Sequence, residues 1–187
     1  MQQADFKVVL DACVLANFSV CDLLLTLAEK PRMYLPRWSQ KLLDETYDTH
    51  VKKLGWEKKI ADTFQNSLHE AFPEALVEDF EHLIDKCQNQ EKDRHVLACA
   101  IHCKSELLLT FNLSDFPEES RAVWQINALH PQDYLLTLYD MNPALVIHKL
   151  ETIARKRNKT LEDQLIKLGT WLPSFSHRML SDLNETT

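Results

Sequence analysis

Four carboxylates stand where a parallel α/β sheet would bring them together. Asp11 closes the run Phe6-Lys7-Val8-Val9-Leu10-Asp11, and Asp115 lies in the turn after Leu107-Leu108-Leu109-Thr110-Phe111. Asp93 opens an amphipathic run that carries Val96, Leu97, Ala100 and Ile101. Glu45 shares a helical stripe with Trp38, Leu42 and Thr49, whose apolar members must face a core. A carboxylate on such a stripe is costly unless a charge meets it. Singly, each acid has an ordinary reading: a turn former for Asp11 and Asp115, an N-cap for Asp93, a boundary ion pair for Glu45. Together they would repel one another, and a divalent cation would remove the repulsion. The all-oxygen donor set selects a hard ion, Mg²⁺ or Mn²⁺, over zinc. An ion of that kind suits hydrolysis of phosphodiesters.

Those positions require particular elements. The patterning predicts strands over 6–10, 32–36, 107–111 and 125–129, and helices over 14–29, 38–54, 58–72 and 93–104. Residues 73–89 fit either a helix or a partly extended segment. Apolar runs without strict alternation suit strands covered on both faces. The fold class that follows is α/β: a three-layer α/β/α sandwich with a mainly parallel sheet and right-handed crossovers. In such sheets ligands bind beyond the carboxyl ends of the strands. Helical spacing over 134–139, 143–157 and 161–171 predicts a C-terminal helical extension, 142–187, after a domain over 1–141.

Composition removes several function classes. The 187 residues carry two glycines, Gly55 and Gly169. A Gly-rich phosphate loop and a dinucleotide fingerprint are therefore both absent. Five cysteines, an odd number in a chain of this size, read as reduced thiols in the cytoplasm. No apolar run reaches membrane-spanning length, and the N-terminus lacks the basic region of a signal peptide. The net charge of −7 disfavours nonspecific coating of nucleic acid. It is uneven: the first 141 residues carry −9 and the rest +2. Lys52, Lys53, Lys58 and Lys59 flank Gly55, and Arg155, Lys156, Arg157 and Lys159 form a second cluster. Either set could contact phosphates or form a solvated face. His95, Cys99 and His102 share one helix face, as zinc ligands or as a packed surface. Cys13 and Cys21 read as small buried hydrophobes. An aspartyl-phosphate site of the haloacid-dehalogenase type would need a second Asp two residues after Asp11, where Cys13 stands.

The segments VVLDACVL, LLDE, KDRHVLACAI and LLLTFNLSDFP, in that order, resemble the PIN-domain ribonucleases, and within them the VapC-type toxins of type II toxin–antitoxin systems. The resemblance spans residues 6–135. It implies a PIN-like fold and a Mg²⁺- or Mn²⁺-dependent endoribonuclease that leaves a 5′-phosphate and a 3′-hydroxyl. The metal and catalytic positions match Asp11, Glu45, Asp93 and Asp115, and Thr110 and Asn112 match the supporting polar positions. Cys13 departs from the pattern, since the family often carries Asn, Ser or Thr there. The implied partners are an RNA substrate, a cognate antitoxin and a second copy of the chain, with no membrane. Apolar residues of the extension are the expected seat of an antitoxin helix. The alternative function is a PIN-like module that binds RNA or protein without cutting.

Overall fold

The computed structural model describes residues 5–185. Five parallel strands, β1 (Lys7–Leu10), β2 (Leu35–Ser39), β3 (Leu76–Val77), β4 (Leu107–Leu109) and β5 (Asn127–Leu129), form one sheet in the order β3-β2-β1-β4-β5. The helices are α1 (Ala12–Ala16), α2 (Phe18–Ala28), α3 (Gln40–Asp48), α4 (Lys58–Ala71), α5 (Arg94–Cys103), α6 (Glu118–Arg121), α7 (Pro131–Met141), α8 (Pro143–Lys156), α9 (Leu161–Leu168) and α10 (Pro173–Glu185). The architecture is the three-layer α/β/α sandwich expected for a PIN-like fold. Val8, Val9 and Leu10 of β1 and Leu108 and Leu109 of β4 are wholly buried, as strands covered on both faces must be. Helix α5 packs across β1, β2, β3 and β4, while α2 packs on β2.

The strand order fixes the site. The chain builds outward from β1 through β2 to β3, then returns to place β4 on the other side of β1. The reversal lies between β1 and β4, which pair through Val8–Leu107, Val9–Leu108 and Leu10–Leu109. A crevice at such a reversal, beyond the carboxyl ends of the strands, is the usual ligand site of open α/β sheets. Asp11 follows β1 and Thr110 follows β4.

Several boundaries differ from the sequence expectation. The helix expected over 14–29 is broken at Asn17, whose side chain accepts the Val20 N–H and caps α2. The second strand runs later than expected and contains Trp38, so the helical stripe assigned to Trp38, Leu42, Glu45 and Thr49 loses its first member. Ser39 caps α3 instead, accepting from the Leu42 N–H. Pro36 is tolerated in β2 because its missing N–H falls on the β3 side, where pairing starts only at Trp38–Leu76. Helix α3 ends at Asp48 and passes into one wide turn, Thr49–Lys53, closed by Leu54 N–H to Thr49 C=O. Gly55 follows with φ +70°, a conformation few side chains tolerate. The ambiguous stretch holds β3 and the short helical turn Glu81–Lys86.

The extension ends in α10, a helix the spacing did not single out. Helices α8 and α9 pack on α2, and α10 packs on α7. Val146, Leu150, Ile153, Leu165, Leu168, Leu172, Phe175 and Met179 join the same core as the sheet. Buried Lys149 donates to the carbonyls of Glu29 and Lys30, and Arg157 pairs with Asp22 at 2.7 Å. Among the described residues no helix is long and apolar enough to cross a membrane.

Candidate active site

Asp11 is buried at the end of β1 and accepts two hydrogen bonds on Oδ2. Thr110 Oγ donates at 2.7 Å and Cys13 Sγ at 3.1 Å. Each donor is itself held by a backbone amide: Asn112 N–H donates to Thr110 Oγ, and Phe111 N–H to Cys13 Sγ. Burial, then the Asp11 charge, pushes the Cys13 thiol up to about 12, so it keeps its proton and stays a donor. Cys13 is therefore not the small packed hydrophobe expected from the sequence. It fills the polar role that Asn, Ser or Thr would fill. Cys21 is wholly buried, as expected.

Asp93 precedes α5 but does not cap it: φ −106°, ψ 3° and the side chain make no capping hydrogen bond. Its Oδ2 is buried and meets the Lys92 ammonium at 3.4 Å, outside hydrogen-bonding geometry. Lys92 also donates to Asp115 Oδ2 at 3.2 Å, which places one cation between two carboxylates. Burial raises the Asp93 pKa; Lys92 opposes the shift, and the charges of Asp115 and Asp11 add to it. Asp93 thus feels the charges of both Asp115 and Asp11. The N-cap reading of Asp93 fails because the carboxylate turns toward this cluster and away from the helix amides.

Glu45 lines the same cleft as Asp11 and Asp93. Its side chain is 41% exposed, and Oε1 lies 3.1 Å from Nε2 of His95, which is 1% exposed. It occupies the boundary between core and solvent, paired with an imidazole. His95 therefore faces Glu45, Cys99 is buried, and exposed His102 meets His82 edge-on with ring centroids 5.9 Å apart. The zinc reading of His95, Cys99 and His102 gains no support. Sequence reasoning also passed over Lys92, whose adjacency to Asp93 was the available signal.

Among the described residues no three His, Cys, Asp or Glu side chains close to metal-caging distance. The donor chemistry nonetheless fits a hard cation. Three carboxylates share one end of the sheet, a buried Asp93 oxygen lacks a hydrogen-bond donor, and a lysine ammonium sits among them. The Lys92 side chain is 66% exposed, so it can leave without disturbing the core.

Asp11, Glu45, Lys92, Asp93 and Asn112 line a cleft of about 960 Å³, bordered by Lys52, Lys53 and four aromatic residues. Of the second basic cluster, Arg157 meets its edge, lying over the ring of Phe18 at 5.4 Å from the centroid. Arg157 of that cluster is engaged with Asp22 and Gln164.

No family model matches the chain, and no solved structure matches it significantly. A stretch of 59 residues is 46% identical to a Mycobacterium tuberculosis protein named "Putative ribonuclease VapC50". The stretch is 32% of this chain and spans about a third of that relative's length, 35%. This likeness supports the resemblance to VapC-type PIN-domain ribonucleases.

Proposed function

We propose that the chain is a metal-dependent endoribonuclease, the toxin of a type II toxin–antitoxin pair acting in the cytoplasm. The carrying observation is the side chain of Asp93. It sits where a cap belongs, forgoes the cap and turns to a buried cluster at the sheet's reversal point. The likeness to a relative named as a VapC ribonuclease supports the same reading.

Asp11, Asp93 and Asp115, with Glu45 at the rim, would hold Mg²⁺ or Mn²⁺. Such an ion lowers the pKa of a bound water and shields phosphate charge. The chain's own residues do the rest. Thr110 and Cys13 fix the Asp11 carboxylate by donating to its Oδ2. Asn112 fixes Thr110 through its amide, and its side chain borders the cleft. Lys92, displaced from the carboxylates, is placed to meet a phosphate. Incubating the protein with RNA in Mg²⁺ and in EDTA tests the reading. Cleavage only with the metal, leaving 5′-phosphates and 3′-hydroxyls, is expected. 2′,3′-cyclic phosphates formed in EDTA would overturn it, and tight RNA binding without cleavage would favour the non-catalytic module.

Two further outcomes follow from the shell around Asp11. Thr110→Val is expected to lower kcat roughly 10–100-fold, the usual effect of losing a partner that orients a metal ligand. Cys13→Ser should retain activity, because a hydroxyl donates to Asp11 as the thiol does. Steady-state cleavage of one RNA by both variants checks this.

The lysines of the cleft are proposed to grip the backbone. Replacing Lys52 and Lys53 by Gln should weaken RNA binding and flatten its salt dependence by about 0.7 in log–log slope per lost contact. Replacing Arg155 and Lys156 should leave both unchanged. A titration across salt concentrations decides.

For the antitoxin, the extension offers less surface than its composition suggests, because most of its apolar residues are buried. A groove of about 650 Å³ between α2 and α4, lined by Leu25, Ile60, Phe64 and Phe72, suits an amphipathic helix better.

A further inference from the structure

Phosphodiester hydrolysis needs carboxylates and cations, yet the cleft wall also holds four aromatic residues. Phe18, Trp56, Phe111 and Trp171 border it beside Asp11 and Asp93. Trp171 is 53% exposed, and Phe18 is also open to solvent. Trp171 comes from the turn between α9 and α10, far along the chain from any carboxylate of the site. That turn is held firmly. Trp171 N–H donates to Leu168 C=O at 3.0 Å, and the next residue, Leu172, is wholly buried. Ser176 Oγ donates to Leu165 C=O at 2.7 Å and packs so closely on Gly169 that a Cβ there would lie 3.1 Å from it. The indole leans on Phe111, with ring centroids 6.4 Å apart, and Phe111 meets His130 edge-on at 5.0 Å. Phe18 is partly covered, because the Arg157 guanidinium lies over its ring at 5.4 Å from the centroid. It meets Trp56 edge-to-face at 5.9 Å, and Trp56 stacks on buried His50 at 3.9 Å and 9°.

Rigid, exposed rings beside lysines are the arrangement that binds single-stranded nucleic acid: cations track the phosphates while bases stack on the rings. Paired bases are already stacked, and their faces are hidden inside the helix. Unpaired bases offer theirs. An apolar peptide would suit such rings, but this cleft is also lined by the carboxylates of Asp11, Glu45, Asp48 and Asp93 and by Lys52, Lys53 and Lys92. A phosphate-bearing ligand with flat bases matches all three features at once.

We propose that Trp171 is a stacking platform for an unpaired nucleotide beside the scissile phosphate. The proposal rests on the reading of the cleft as a ribonuclease site. It gives the C-terminal extension a part in substrate selection through one side chain.

The test uses the full-length chain carrying Asp93→Asn, so that RNA is bound without being cut. A short unstructured oligoribonucleotide and a duplex of the same sequence are titrated in Mg²⁺. Trp171→Ala should weaken single-strand binding roughly five- to hundredfold, the range for losing one stacked base. It should leave duplex binding unchanged, and Trp171→Phe should restore most of the loss. In the active chain Trp171→Ala should raise KM more than it lowers kcat. Equal affinity of the Trp171→Ala and parent proteins for the single strand would overturn the proposal. So would an equal loss on both RNAs, or a change in oligomeric state without a change in RNA binding. If the wild-type chain neither binds nor cuts RNA, the ribonuclease reading falls and takes this proposal with it. If it cuts RNA and is indifferent to Trp171, only the stacking proposal falls.

Discussion

Asp93→Asn is expected to reduce RNA cleavage about a hundredfold or more, beyond the loss that follows from removing an outer-shell partner. The same change is expected to raise the melting temperature of the metal-free protein. The Asp93 carboxyl has its pKa raised by burial, with Asp115 and Asp11 adding to the shift against Lys92. A carboxyl with a raised folded-state pKa contributes stability that is fully present below its unfolded pKa, about 3.9. That contribution is lost as pH rises through the folded value. At neutral pH the wild-type protein in EDTA therefore carries an unfavourable charge that Asn removes. The gap between the two melting temperatures should be widest near neutrality and should close toward about pH 4. Mg²⁺ should raise the melting temperature of the wild type and do little for Asp93→Asn, because an ion that binds only the folded state stabilises it by mass action. Melting curves of both proteins, with and without Mg²⁺, across pH check this. A variant that melts lower at every pH would show that Asp93 acts as a structural cap after all.

Truncation before Pro143 is expected to abolish soluble folding. Val146, Leu150, Leu165, Leu168, Leu172, Phe175 and Met179 are wholly buried and belong to the core shared with the sheet. Each such side chain contributes about 1.5–3 kcal/mol on burial. Domain stabilities are only about 5–15 kcal/mol, so the loss of all seven exceeds what the fold can absorb. The truncated chain would also expose the face of α2 that α8 and α9 cover. Truncation therefore cannot be used to locate an antitoxin. Phe175→Ala is the graded version, expected to cost about 3–5 kcal/mol in chemical denaturation. Normal stability of either variant would contradict the packing.

The parts of the site that were legible in the sequence are those set by strand ends. Asp11 and Asp115 each follow a short apolar run, and an apolar run that stops at a carboxylate is visible without coordinates. Thr110 and Asn112 were implied only by the resemblance to the PIN-domain ribonucleases. Glu45 was placed by a stripe that began at Trp38, yet Trp38 belongs to β2, so the position was found through a partly wrong register. Its partner His95 lies 50 residues away, and no local pattern joins the two. Asp93 shows the opposite case. Its position before a helix has two readings with the same sequence signature, and only the direction of the side chain separates them. Strand β3, two residues long, is below the length at which alternation can be recognised. The break at Asn17 was missed because the apolar spacing continues through it. The burial of the extension was half visible: the apolar residues could be counted, but which of them faced the body depended on α2, more than a hundred residues earlier.

That distance has a consequence for the order of events during synthesis. Lys149 reaches back 120 residues to Glu29, and Arg157 reaches 135 residues to Asp22. Strand β4 likewise waits about a hundred residues to join β1. Contacts this far apart in sequence make folding slow, since closing long loops costs entropy before any contact repays it. A nascent chain that has already displayed Asp11, Glu45, Asp93 and Asp115 still lacks the helices that complete the core around them. A nuclease built this way would then stay inert until helices α8 to α10 have been made and packed. Only then would a waiting inhibitor have a finished site to find.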